Sequence, residues 1–360
     1  MNSKITQRQY TSIILSAFIG VGIISLASDV CKKAQQTGWI SVFIGCLYPL
    51  IVLLIASYID NKMDHDDFWN IIKKLYGKYL GYIILLMFII DSFFFQADII
   101  AGYSNILKSS ISDMFPHIII VSIVILLSIT TTRKGLTIIG RLCEFCLYFI
   151  FIIIFTPIVY LDGGYITNLQ PYFDSTEKII SAVPESLFAY QGSEIAFFII
   201  ASISNRKSTK KSGIWATLMT ALLYTFTVFM SIYYLGWELT SQLKFPVLFL
   251  FKQMQPPIFS DFTALFMIIW STVIIITLSI EQFFLCYSIS KMFNLNYKKS
   301  CDIVLPFILI LSLIAAIYDT FRIKVVDIVT PYLALLIFIW AVISFILTFL
   351  RVGGKTNAKI

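Results

Sequence analysis

The string Tyr190-Gln191-Gly192-Ser193-Glu194 interrupts an otherwise apolar run, about Val183 to Ile203, that is long enough to cross a bilayer. A carboxylate near the middle of such a run is costly unless it faces a cavity or a partner, so Glu194 is a candidate for ligand or ion chemistry. A structural contact between helices is the alternative. The first apolar run, about Tyr10 to Cys31, carries a comparable irregularity at Gly20-Val21-Gly22-Ile23. Glycine weakens a helix at its midpoint. A helix interrupted there leaves N–H groups at one half and C=O groups at the other, which suit the carboxylate and the ammonium of a zwitterion. Close helix packing through small residues would also account for these glycines.

Further polar groups lie in apolar runs. Asp91 and Asp98, seven residues apart with Gln96 between them, share one helix face. Glu281 and Gln282 follow Ser271, Thr272, Thr277 and Ser279 in another run. Asp91, Asp98 and Glu281 could relay protons or hold a cation, or could form structural pairs. Glu144 lies three residues from Arg141, so an i,i+3 ion pair is expected there. Cys143 and Cys146 have CxxC spacing but no second pair or histidine cluster, and packing is the expected role. His65 and His117 are far apart and read as solvated or interfacial. No metal or cofactor site is expected. An enzyme is disfavoured because no nucleophile and base pair, metal cluster or nucleotide loop is present.

The elements that must position these groups follow from composition. Of the 360 residues 58% are hydrophobic and 13% charged, with a mean hydropathy of +0.87, which indicates a polytopic membrane protein. The net charge of +7 is carried in short clusters between apolar runs, a topology signal and not a nucleic-acid-binding face. Ten spans are predicted: Tyr10 to Cys31, Trp39 to Ile59, Tyr79 to Leu107, Ile118 to Thr132, Leu142 to Tyr160, Val183 to Ile203, Ile214 to Leu235, Thr263 to Ile289, Ile303 to Tyr318 and Thr330 to Leu350. Most Lys and Arg residues fall on the side of the N-terminus, which predicts both termini in the cytoplasm, with Lys32 and Lys33 as the main exceptions. The first helix is expected to be retained, with no cleaved signal peptide. Asp60 to Lys78 reads as an interfacial amphipathic helix. Gly236 to Asp261 is too apolar for a floppy linker and is expected to form short helices over the outer mouth, possible as a lid.

Gly192 occupies, in the sixth run, the place of Gly20 and Gly22 in the first. Breaks in corresponding helices of two five-helix halves point to an inverted-repeat transporter fold with a ligand site at the midplane. The ten-segment plan, the Gly-Val-Gly-Ile break after Phe18 and the Tyr190 to Glu194 string resemble the spore germination permease family, the B subunits of germinant receptors, within the amino acid, polyamine and organocation transporter superfamily. The fold class expected is an all-α polytopic membrane protein of ten transmembrane helices, a LeuT-like 5+5 inverted repeat with helices 1 and 6 broken. One domain is expected over 1–360, with repeats at about 10–160 and 183–350.

The resemblance implies a protein of the spore inner membrane or cell membrane that works beside an A subunit and a lipoprotein C subunit. It implies recognition of a small germinant, commonly an amino acid, and signalling in place of accumulation. The ligand site would comprise Gly20, Val21, Gly22 and Ile23, Phe95 in the third run, Tyr190, Gln191, Gly192, Ser193 and Glu194, and Thr277 in the eighth. Proton-coupled members of the superfamily often place a lysine in the fifth helix, and none lies between Leu142 and Tyr160. A secondary amino-acid transporter is the second expectation, and a membrane scaffold without ligand binding the third.

Overall fold

The first apolar run folds as two helices, α1 (Gln7–Phe18) and α2 (Gly22–Ala34). Helix α1 starts on a capping box, in which Thr6 Oγ1 accepts from the Gln9 amide at 3.1 Å and Gln9 Oε1 accepts from the Thr6 amide at 3.0 Å. It stops where Ile19 turns extended, at ψ 90°. The computed structural model describes residues 4–63, 65–111, 113–160, 163–204, 209–254 and 262–356. After α2 come α3 (Gly38–Gly45), α4 (Leu47–Lys62), α5 (Phe68–Ser110), α6 (His117–Arg133) and α7 (Leu136–Tyr160). The remainder comprises α8 (Thr176–Ala182), α9 (Ile195–Ile199), α10 (Thr209–Gln242), α11 (Pro246–Gln253), α12 (Thr263–Phe293), α13 (Tyr297–Ile317) and α14 (Asp319–Thr356).

Seven helical stretches among the described residues are long and apolar enough to cross a membrane, and His117–Arg133 is a shorter apolar helix. That measure does not return the ten spans expected. Three features make the difference: Gly22–Lys62 counts as one stretch and joins the rest of the first run to the second, His117–Arg133 is too short, and the breaks leave α1 with 12 residues and α9 with 5, which at about 1.5 Å per residue do not cross about 30 Å alone. Helices α5 and α12 pack against one another at the centre, flanked by α6 and α13, while α10 covers α1 and α2. Side chains such as Ile83, Leu86, Phe307 and Ile310 stay exposed on the outside, as a lipid-facing belt requires.

Gly77 and Gly236 mark bends within long helices, at φ +80° and +75°. These are the points at which the sequence separates the amphipathic stretch from the third span and ends the seventh. The apolar stripe of the amphipathic stretch, however, is covered by protein. Phe68, Ile71, Ile72 and Leu75 are buried, and the Phe68 ring sits 3.7 Å from that of Phe198 and 5.9 Å from that of Trp340. Its apolar stripe closes one end of the bundle, an outcome that periodicity cannot separate from lipid contact. Asp67 binds Lys291 of α12 at 2.8 Å, and Arg351 donates to the Lys74 carbonyl at 3.0 Å, which puts both chain ends on this face. There the Ile5 amide also donates to Ser202 O, and the Ser204 amide to Ile5 O, each at 2.9 Å.

Opposite this face, α11 packs through Phe251 onto Phe266 of α12, ring centroids 4.4 Å apart. It is the short helix expected in the Gly236 to Asp261 loop; 255–261 lies outside the described residues. Glu144 pairs with Arg8 at 3.4 Å and not with Arg141, because α1 lies directly on α7. His65 binds Asp60 at 2.8 Å and His117 binds Ser104 at 2.9 Å. Cys143 and Cys146 are buried in the apolar packing of α7.

Candidate functional site

The two breaks meet. A Cβ built on Gly192 would lie 3.1 Å from the Ala17 carbonyl oxygen, and one built on Gly22 would lie 3.1 Å from Ala189 Cα and from the Phe188 ring. The glycines serve different ends. Gly192 has φ +106°, a conformation that side chains resist, and the chain from Leu187 to Glu194 runs through it as consecutive turns between α8 and α9. Gly20 and Gly22 have no such φ: Gly22 provides clearance for the sixth segment, while a Cβ on Gly20 would meet only Thr277 Cγ2, at 3.7 Å. The break in the first segment therefore owes more to close approach than to backbone freedom, so that the packing explanation and the break explanation both hold at Gly22.

Carbonyl groups freed by the breaks are taken up by neighbouring hydroxyls. Thr277 Oγ1 donates to Ser16 O and lies 2.9 Å from it and from Ile19 O. Tyr224 of α10 is 2.6 Å from Phe18 O and 3.0 Å from Ala189 O, so that one hydroxyl bridges both broken segments. Tyr224 was not among the residues singled out from sequence, although Thr217, Thr220, Tyr224, Thr227 and Ser231 form a polar stripe at helical spacing. Tyr224→Phe removes the bridge without changing shape. It should destabilise the purified protein by about 1–3 kcal/mol, the cost of leaving a buried carbonyl unpaired, read as a lowered unfolding midpoint.

Glu194 Oε2 accepts from the Gly192 amide at 3.2 Å, and Gln191 Nε2 donates to Asp91 Oδ1 at 3.3 Å. Asp91, Glu194 and Glu281 are 2%, 1% and 1% exposed. Glu194 bears electrostatically on Asp91 and Glu281, and Asp91 on Glu281. Gln96 Nε2 donates to Ser92 Oγ at 2.7 Å, while Gln96 Oε1, Gln191 Oε1 and Glu281 Oε1 are buried without a hydrogen-bond partner. All three are acceptors. The hydroxyl of Ser193 is buried without a partner as well, so the junction holds unpaired oxygens beside an unpaired hydroxyl and suits a small solute that carries hydrogen-bond donors, such as an ammonium group.

The residues expected at the site are largely together. Tyr190 donates to Val42 O at 3.0 Å and packs on Phe18 and Tyr224; Phe95 meets Phe188 edge-on at 5.8 Å; Val21 and Ile23 flank the first break. Ser193 is fully buried in the sixth-segment turns. Asp98 stands apart. It forms an ion pair with Arg322 of α14, so Asp91 and Glu281 are the carboxyls that accompany Glu194. The partner Arg322 was missed from sequence, where it counted only as a topology charge. Gln282 donates to Ser128 Oγ at 2.9 Å and joins α12 to α6.

Two helices broken at mid-run and facing each other, backed by α5 and α12, define an integral membrane protein with an inverted-repeat transporter fold. MhsT in complex with L-phenylalanine shares this fold at a TM-score of 0.69 and 13% identity, covering 97% of this chain and 96% of that one. Mhp1, a nucleobase-cation-symport-1 family transporter, does so at 0.66 and 13%, covering 87% of this chain and 72% of that one. A family model described as "Spore germination protein" matches residues 4–322, and the chain belongs to the spore germination permease family. It is similar to spore germination protein YndE of Bacillus subtilis, 27% identical over 86% of this chain and 87% of that protein. Spore germination protein A2 of the same organism is 22% identical over 84% of each.

Proposed function

We infer that this chain is the germinant-sensing membrane subunit of a spore germinant receptor, which binds a small solute of the amino-acid class between the broken helices and passes the binding event to partner subunits. The observation that carries this reading is the buried carboxyls of Glu194, Asp91 and Glu281 at the junction, set beside oxygens of Gln96, Gln191 and Glu281 that have no hydrogen-bond partner. An α-ammonium group is a donor to such oxygens. The bound L-phenylalanine of MhsT, in a protein of the same fold, supports the amino-acid class. Binding would favour one of two arrangements of the segments around Gly192 and Gly22, and an A subunit and a lipoprotein C subunit, as the family resemblance implies, would read the difference. Both termini would then face the cytoplasm, in the spore inner membrane or the cell membrane.

Glu194→Gln keeps the shape of the side chain and removes its charge. In spores that carry the variant as their sole copy, the germinant concentration for half response should rise at least roughly tenfold, the effect of about 1.4 kcal/mol of lost binding. An unchanged dose response in a normally abundant variant would overturn the assignment. The second reading, a secondary amino-acid transporter, is favoured by the transporter fold itself. Liposomes containing the purified protein separate the two: concentrative uptake of labelled amino acid supports transport, and saturable binding without uptake supports sensing.

A further inference from the structure

On the face opposite the chain ends a cavity of about 200 Å³ opens between α2, the turn at Glu185, α5 and α14. It is smaller than the roughly 300–1,000 Å³ of pockets for drug-sized ligands and matches a small solute. Its floor, where the lining meets the broken segments, includes Val21 and Phe188 beside Arg322. Gly102 permits that floor: a Cβ there would lie 3.2 Å from Val21 Cγ1 and 3.5 Å from the Arg322 guanidinium.

The charges around the cavity are unevenly engaged. Every lining cation is already paired: Lys32 binds Asp29 at 3.1 Å, Lys244 binds Asp319 at 2.9 Å, and Arg322 holds both Asp98 and Asp319. Glu185 is held by Lys33. Asp327 lines the same cavity and is the exception: it is exposed and makes no hydrogen bond or ion pair among the described residues, while Glu185 opposes its charge and Lys32 and Arg322 favour it from beyond pairing distance. Three residues on, and therefore on the same face of α14, Thr330 lines the cavity with its hydroxyl 4% exposed as a residue and without a hydrogen-bond partner. A buried hydroxyl without a partner and, one helical turn before it, a carboxylate without a protein partner thus line the same cavity. What they lack is a compact group with several N–H donors.

We propose that this cavity is a second, outer binding site, which captures organic ammonium solutes on Asp327 and Thr330 before they reach the junction of the breaks. The proposal extends the reading above, because the captured solute is the one the junction binds. Anions are disfavoured in this role, because all three lining cations are already paired with protein carboxylates while Asp327 has no such partner. A zwitterion binds ammonium first, with its carboxylate toward the open mouth.

The test uses the purified full-length protein with Val326→Cys, a position in the cavity wall, and unmodified protein as the background, whose six cysteines are buried. Labelling rates with 2-aminoethyl and 2-sulfonatoethyl methanethiosulfonate are compared at low salt, each normalised to its rate with free cysteine. The cationic reagent should be favoured roughly tenfold, the focusing expected of a charged cleft. Asp327→Asn should abolish that preference, and n-propylammonium should slow labelling where propionate does not. Normalised rates that are equal, a preference that survives Asp327→Asn, or equal protection by propionate each overturn the proposal. Ile323→Cys replaces Val326→Cys if the latter does not fold. Labelling is read in detergent and is independent of any germination response, so it fails separately from the midplane reading.

Discussion

Gly192→Ala is expected to cripple both folding and ligand response, while Gly20→Ala is expected to be tolerated. At Gly192 two penalties combine. The φ of +106° is one that a residue with a Cβ adopts only under strain, at a cost of about 1–3 kcal/mol. The new methyl would also sit 3.1 Å from the Ala17 carbonyl oxygen, a backbone atom that cannot rotate aside, so α1 would be pushed from the sixth segment. Gly22→Ala should fall between the two, since it meets Ala189 Cα and the Phe188 ring at 3.1 Å but needs no unusual φ. Gly20→Ala makes only a 3.7 Å contact with Thr277 Cγ2. Unfolding midpoints of the purified variants, set beside germinant dose response, check the order. A Gly20 variant as damaged as the Gly192 variant would mean that the first break depends on backbone freedom after all.

That ordering also shows how far sequence reaches in this chain. The break in the sixth run was legible, because glycine carries the signal in its own identity at Gly192, whereas the bends at Gly77 and Gly236 were not singled out, although they fall at the end of the amphipathic stretch and of the seventh run. The candidate site was legible to the same extent, since a carboxylate in an apolar run needs an explanation wherever the fold puts it. Partnerships were not legible. Asp98 and Arg322 are 224 residues apart, and Tyr224 reaches Phe18 O across 206. Nothing local distinguishes Arg322 from a topology-setting charge or Tyr224 from an ordinary buried aromatic. Likewise Glu144 had a plausible neighbour in Arg141, and only the seating of α1 on α7 gives it Arg8 instead. Helix faces posed the same difficulty: the stripe of Phe68, Ile72 and Leu75 specifies an apolar surface and leaves open whether lipid or protein covers it.

Arg322→Ala is expected to be the most destabilising charge substitution in the chain, at about 3–5 kcal/mol, because it leaves the Asp98 carboxylate buried and unpaired. Asp98 is 4% exposed at its side chain and Arg322 14%, so water compensates little. The guanidinium does more than neutralise. Its Nη1 faces Asp98 on α5, while Nε and Nη2 reach Asp319 at 3.0 and 2.7 Å, and Asp319 in turn accepts from Lys244 at 2.9 Å and from Asn105 at 2.9 Å. One planar group thus ties α5, α14 and the segment leading into α11. Arg322→Lys should restore only part of the loss, since a single ammonium cannot match the fork that grips two carboxylates. Asp98→Asn in the Arg322→Ala background should recover stability by removing the stranded charge, and that recovery separates a buried-charge effect from simple loss of packing. Thermal unfolding of the four proteins in one detergent measures it. If the double variant is no more stable than Arg322→Ala, the cost lies in the lost tether between α14 and the Lys244 segment and not in Asp98. If it recovers, the ion pair is what makes a carboxylate on the third span tolerable, and the floor of the outer cavity should be looser in that variant even though the fold is regained. Faster labelling of a cysteine at Val21 than in unsubstituted Arg322 protein would show that looseness directly.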